Sequence, residues 1–273
     1  MFKSALLALK PAPLKGEYLD FAVALTMRHG MQLTVCTVID TARLAPAEAM
    51  PIGAGAFKKE RDEAIVAAAR EEAAQSLSNC KSACTQSGVP CRTDVCDGDT
   101  VEVLARHAQE HDLMILRHMT GEDTSDESLL RDILKHSPRP AIVYAGLPVQ
   151  GENVVVAYDG SVQAARTLAS FVYSGLAAGR RIQVVTCHAD SAHADAVSGV
   201  ACRFLEHYGF DATAHAACLE GDPGQTLLIQ VEKHSAGLLV MGAFGKTAAR
   251  EFFFGSVTRK VLHNATVPVF LNH

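Results

Sequence analysis

The hydrophobic pattern of the second half of the chain alternates between short apolar runs and amphipathic stretches. "NVVVAY" (Asn153 to Tyr158) is a β-branched run that stops at the turn "DGS". "VQAARTLASFVYSGLAAG" follows with helical spacing and predicts a helix ending at Gly179. "RIQVVTC" reads as a strand, Ala194 to Gly209 as a helix, and "DATAHAAC" as a third strand. In "DPGQTLLIQVEKHSA", Asp222 is the expected N-cap and Pro223 the first helical residue. "GLLVMG", a short helix from Gly255 to Asn264 and "VPVFL" complete the series. Apolar strands that alternate with helices imply a parallel sheet covered on both faces.

The first half repeats this order, with "KSALLAL", "QLTVCTV", "VPCRTDVC", "DLMILR" and "PAIVYA" as strands. Lys10 to Val38 spans the same length as Asp159 to Cys187, and Gly98 in "CDGD" matches Gly221 in "LEGD". The expected fold is therefore α/β, with two tandem domains at 1–146 and 151–273. Each is an open five-stranded parallel sheet with helices on both faces, and the linker "AGLPVQGEN" joins them. The final strands "RPAIVYA" and "VPVFLNH" would be bare edges unless paired, so the two domains are expected to meet through them.

Composition narrows the function classes. The 273 residues are 48% hydrophobic and 20% charged, enough apolar material for sizeable cores. A net charge of -5 offers no basic field to gather phosphates, which argues against a nucleic-acid partner. No apolar run is long enough for membrane insertion. The opening "MFKSALLALKPAPLK" breaks at Lys10 without a cleavage pattern and reads as a buried strand. A cytoplasmic location is expected on that basis, with the eight cysteines as thiols.

Candidate chemistry gathers at the strand ends, where open parallel sheets bind ligands. "MGAFGKTAAREFFFGS" contains a Gly-Lys-Thr, but a Walker A loop would need a glycine where Val240 stands. What remains is G-x2-G-x9-G-S: Gly242, Gly245, Gly255 and Ser256. Such glycines allow backbone amides to approach phosphate oxygens, and Ser256 opens a helix whose N-terminus favours anions. Asp159 suits ribose hydroxyls or a bound Mg2+, beside an apolar slot fit for adenine.

This motif after an apolar strand, with the early "DGS" and the final "VPVFL", resembles the ATP-binding signature of the universal stress protein family. The resemblance covers the whole chain and points to a tandem member. It implies that Asp159, Met241, Gly242, Gly245, Gly255, Ser256, Val257 and Thr258 surround ATP or a related adenine nucleotide, with Cys187 beside the base. It also implies a nucleotide-dependent regulator or sensor rather than a dedicated enzyme, with slow ATP hydrolysis at most. Intramolecular pairing of the domains is expected, and a homodimer is compatible with it. The competing readings are an interaction or scaffold protein without nucleotide, and a thiol- or zinc-responsive sensor.

The first repeat departs from the motif. Lys10 stands at the Asp159 place and His118 at Gly242; Gly121 keeps the second glycine, Glu127 replaces the third, and Ser128 survives. A single nucleotide per chain, in the second repeat, is the consequence. Gly242→His is expected to abolish binding with little loss of fold, because His118 is already tolerated in the first repeat. Two other patterns carry chemistry. His107-Ala-Gln-Glu110-His111 matches H-x-x-E-H, for which a solvated helix is the simpler account. Cys80, Cys84, Cys91 and Cys96 are spaced C-x3-C-x6-C-x4-C, but Cys91 and Cys96 face opposite sides of a strand. The Phe252-Phe253-Phe254 run reads as a hydrophobic anchor.

Overall fold

A computed structural model describes residues 1–12, 16–49, 51, 53–118, 124–147, 149, 151–218, 221–243 and 255–272. Gly245, Gly121, the Gly-Lys-Thr and the triple phenylalanine lie outside the described residues. The first repeat runs β1 (Ser4–Leu9), α1 (Gly16–His29), β2 (Gln32–Ile39), α2 (Thr41–Leu44), α3 (Gly55–Gln86) and β3 (Cys91–Asp97). It continues with α4 (Thr100–Ala108), β4 (Leu113–Arg117), α5 (Thr124–His136) and β5 (Ala141–Tyr144). The second runs β6 (Asn153–Ala157), α6 (Val162–Ser174), β7 (Ile182–His188), α7 (Ser191–His207) and β8 (Ala212–Cys218). It ends with α8 (Pro223–Lys233), β9 (Ala236–Gly242), α9 (Ser256–Asn264) and β10 (Val269–Asn272). Each repeat thus supplies five strands of an α/β fold, as the alternating pattern predicts. No helix among the described residues is long and apolar enough to cross a membrane.

The chain packs as two compact units. One comprises residues 3–114 and 132–138, the other 1–2, 115–131 and 139–273. In the first, β3, β2 and β1 lie side by side in parallel, with Leu7 opposite Val35 and Val35 opposite Thr93. In the second, the order is β5-β10-β9-β6-β7-β8. β6 connects onward to β7 on one side, whereas its other neighbour β9 connects onward to β10 on the opposite side. The strand order therefore reverses between β6 and β9 and opens a cleft at their carboxyl ends. The last strands of the two repeats pair here: β10 runs antiparallel to β5, with Phe270 opposite Ile142.

Three helices differ from the pattern. α7 starts at Ser191 rather than Ala194, because the Asp190 side chain caps it by accepting from the Ala192 and His193 amides. α6 ends at Ser174 rather than Gly179, because Gly175 adopts φ +81° and caps the helix in the left-handed conformation. α5 begins at Thr124, so Glu127 is helical, whereas its counterpart Gly255 is the non-helical N-cap of α9. Asp126 and Glu127 put acidic side chains in the first turn of α5, where the helix dipole favours them and supports an earlier start.

One buried carboxylate ties β2 to α4. Asp40 follows β2 and accepts from the Thr100 amide and hydroxyl at 3.0 Å each, and from the Arg43 amide at 3.2 Å. The Arg43 guanidinium stands 3.2 Å away. Burial pushes the Asp40 carboxyl upward, but these donors outweigh it and hold the group below its ordinary value. Asp40→Ala should therefore cost about 2 kcal/mol in urea unfolding at pH 7, the scale of hydrogen bonds to a charged group. A depressed folded value gives stability that is present above the unfolded carboxyl value, about 3.9, and lost as pH falls through the folded one. The difference between wild type and variant should shrink at pH 3; an unchanged difference there would show that the charge plays no part.

Candidate functional site

A cavity of about 340 Å³ opens at the carboxyl ends of β6, β7 and β9. That is near the lower end of small-ligand sites, roughly 300–1,000 Å³. Of the residues singled out by sequence, Asp159, Cys187, Met241, Gly242, Gly255, Ser256, Val257 and Thr258 all line it. They come from four separate segments, brought together because β6 is flanked by β7 and β9.

The cavity has both apolar and polar lining residues. Ala157, Val185, Cys187, Met241 and Leu227 give it hydrocarbon and sulfur walls. Burial pushes the Cys187 thiol up to about 11, so it stays protonated at neutral pH and acts as an apolar wall rather than a nucleophile. Val185, Pro223 and Leu227 are absent from the motif. Their signal is positional: Val185 lies two residues before Cys187 on the same strand face, and Pro223 and Leu227 are four apart at the start of α8.

Among the polar lining residues, the "DGS" turn explains its own. Asp159 Oδ1 accepts from the Ser161 amide at 2.9 Å, Gly160 takes φ +72°, and Ser161 Oγ accepts from the Ala164 amide at 3.1 Å to cap α6. The N-terminus of α9 lines the same cavity. Its N-cap, Gly255, supplies no side-chain acceptor, and its first turn carries no acidic residue. The amides of that turn thus present a positive end toward the cavity.

The two described glycines differ in kind. A Cβ on Gly255 would meet nothing within 4 Å, at an ordinary φ of -57°. A Cβ on Gly242 would lie 3.1 Å from the Ala164 amide nitrogen and 3.2 Å from the Gln163 carbonyl carbon. Gly242 therefore lets β9 abut the first turn of α6, and Gly242→His cannot leave the fold undisturbed as expected from sequence. His118 gives no precedent, because its backbone bond makes it the counterpart of Ala243, whose amide donates to the Asn272 carbonyl, and not of Gly242. The His118 amide donates to the Tyr144 carbonyl at 2.8 Å, and its ring meets His263 edge-on at 6.2 Å. Burial, then His263, lower its pKa.

A larger groove, about 630 Å³, runs along α2 and α3 between Thr41 and Arg70. Its charged walls largely satisfy one another, with Lys58 on Asp62 and Lys59 on Glu63. It gathers none of the motif residues.

The other sequence patterns separate in space. His111 Nδ1 bonds the His107 carbonyl oxygen at 2.8 Å, while His107 Nε2 lies 3.3 Å from Cys96 Sγ. The two imidazoles do not form a zinc-peptidase pair, and His107 is half-buried rather than solvated. Cys84 and Cys91 contact one another, whereas Cys96 lies with Cys36.

A parallel α/β repeat with its cleft at the switch point and a glycine-capped helix beside it is the arrangement in which open α/β sheets place small-ligand sites. The family model of the universal stress protein family matches residues 1–144 and 151–272. The chain belongs to that family. A crystal structure of a universal stress protein from Archaeoglobus fulgidus DSM 4304 superposes with a TM-score of 0.67 at 18% identity, covering 98% of this chain and 95% of that one. A putative universal stress protein from Pseudomonas aeruginosa UCBPP-PA14 gives 0.62 at 19%, covering 99% and 92%. Both likenesses concern the fold. In sequence, the chain is 29% identical over 139 residues to universal stress protein Slr1230 of Synechocystis, covering 50% of this chain and 48% of the relative. It is 40% identical over 57 residues to MJ0531 of Methanocaldococcus jannaschii, covering 21% and 34%. The matched stretches thus span half or less of these curated relatives' lengths.

Proposed function

We propose that the second repeat, 151–273, binds ATP or a related adenine nucleotide, one per chain, and that the protein acts as a nucleotide-dependent regulator in stress responses. The first repeat, 1–146, is a degenerate partner domain in this reading. The observation that carries it is the convergence of eight motif residues from four segments on one cavity. The apolar lining suits adenine, Asp159 suits ribose or a nucleotide-bound Mg2+, and the α9 amides suit phosphate. The first repeat has Lys10 at the place matched by sequence to Asp159, and the acidic first turn of α5 where the second has the glycine-capped start of α9. A protonated thiol and backbone donors favour binding over turnover.

Calorimetric titration of the full chain with ATP should give one site, and the purified protein should release an adenine nucleotide on denaturation. The full chain is required because β10 pairs with β5, which a fragment starting at residue 151 would lose. Two sites of similar affinity, or no binding with or without Mg2+ after bound nucleotide is removed, would overturn the reading.

A further inference from the structure

Cys36, Cys96 and His107 converge although they are far apart in sequence. Cys36 lies in β2 with 0% of its surface exposed. Cys96 in β3 is in register with Val38, two residues beyond Cys36, so the two thiols share one face of adjacent strands. α4, started by Asp99 as its N-cap, brings His107 onto that face. The two sulfurs and an imidazole nitrogen all lie within 4.8 Å of one another, with Cys96 Sγ to His107 Nε2 at 3.3 Å.

We propose that Cys36, Cys96 and His107 form a Zn2+ site in the first repeat, with three protein ligands and a fourth position for water. Tetrahedral zinc has metal–sulfur distances near 2.3 Å and metal–nitrogen distances near 2.0–2.1 Å, which sets donors roughly 3.5–3.8 Å apart. The observed spacing reaches that geometry with shifts of about 1 Å or less. Two thiolates and an imidazole suit a borderline-soft cation, and binding releases both thiol protons. Asp94, in register with Cys36, adds a nearby carboxylate that further favours a cation. The ion would fasten β2, β3 and α4 together. A hydrogen bond between thiol and imidazole alone is the competing account, and it predicts no metal affinity.

The full chain, stripped with chelator and kept reduced, is titrated with Co2+ as an optical probe and then with Zn2+. One cobalt per chain is expected, with thiolate-to-cobalt charge-transfer absorption and the intense visible bands of a tetrahedral site, bleached by Zn2+. Cys96→Ser and His107→Gln should each weaken binding about a hundredfold or more, at least the effect of losing a supporting group. These half-buried positions carry the test because Cys36→Ser disturbs the core. Cys91→Ser, on the opposite strand face, should leave the spectrum unchanged. Absence of cobalt bands in the folded, reduced chain would overturn the site, as would equal binding by Cys96→Ser. A Cys36–Cys96 disulfide in the oxidised chain, without cobalt binding in the reduced one, would also overturn it and assign the pair to redox chemistry. Zn2+ binding and ATP stoichiometry are read separately, so either can fail alone.

Discussion

Gly255→Glu is expected to weaken ATP binding by about a hundredfold or more while leaving the fold intact. The substitution puts a carboxylate at the cap of α9, among the amides that would face the phosphates. Two unit charges about 4 Å apart repel by roughly 1–4 kcal/mol at effective dielectrics between water and a protein surface. A nucleotide carries several such charges, and each 1.4 kcal/mol is tenfold in affinity. The apo fold should tolerate the change, because a Cβ at Gly255 meets nothing within 4 Å and the φ there is ordinary. An acidic group at a helix N-terminus is itself favourable. Calorimetry with ATP and thermal unfolding without it check both halves. Unchanged ATP affinity in a folded variant would sink the assignment of this helix end. Gly242→His is the contrasting case: it should lower stability as well as binding, because its Cβ presses on the Gln163–Ala164 backbone.

That contrast marks what the sequence reveals and what it hides. Local rules reach far: Asp222 as N-cap, its side chain accepting from the Gly224 and Gln225 amides, and Pro223 at the first position follow from capping chemistry alone. The site residues are readable because glycine spacing and strand ends are both linear features. The end of α6 is not, since Gly175 and Gly179 both take positive φ and the buried Leu176 and Ala177 continue the apolar pattern between them. The role of Gly242 depends on where α6 starts in space. Chain spacing also groups Cys96 with Cys80, Cys84 and Cys91, whereas strand register and α4 join it to Cys36 and His107. Long-range pairing of this kind leaves no local trace.

Phe270→Ala should cost the protein about 3–5 kcal/mol, the usual penalty for emptying a buried aromatic position. Phe270 is 0% exposed and lies in β10, between Ile142 of β5 and Val240 of β9. Its ring packs edge-to-face on Phe171 of α6 at 5.6 Å, so the truncation leaves a cavity between strand and helix. Against a typical total of about 5–15 kcal/mol, that is a large fraction. The effect should also reach the site. Two residues on, the Asn272 carbonyl accepts from the Ala243 amide at 2.9 Å and from Thr167 Oγ1 at 3.1 Å, which holds the Gly242 end of β9 against α6. Loosening β10 should therefore weaken ATP binding together with stability, while Phe270→Leu, which leaves a smaller void, should do less of both. Urea unfolding and ATP titration of the two variants test this coupling. A stability loss below about 1 kcal/mol for the alanine variant, or full ATP affinity in a clearly destabilised one, would show that β10 does not support the cleft.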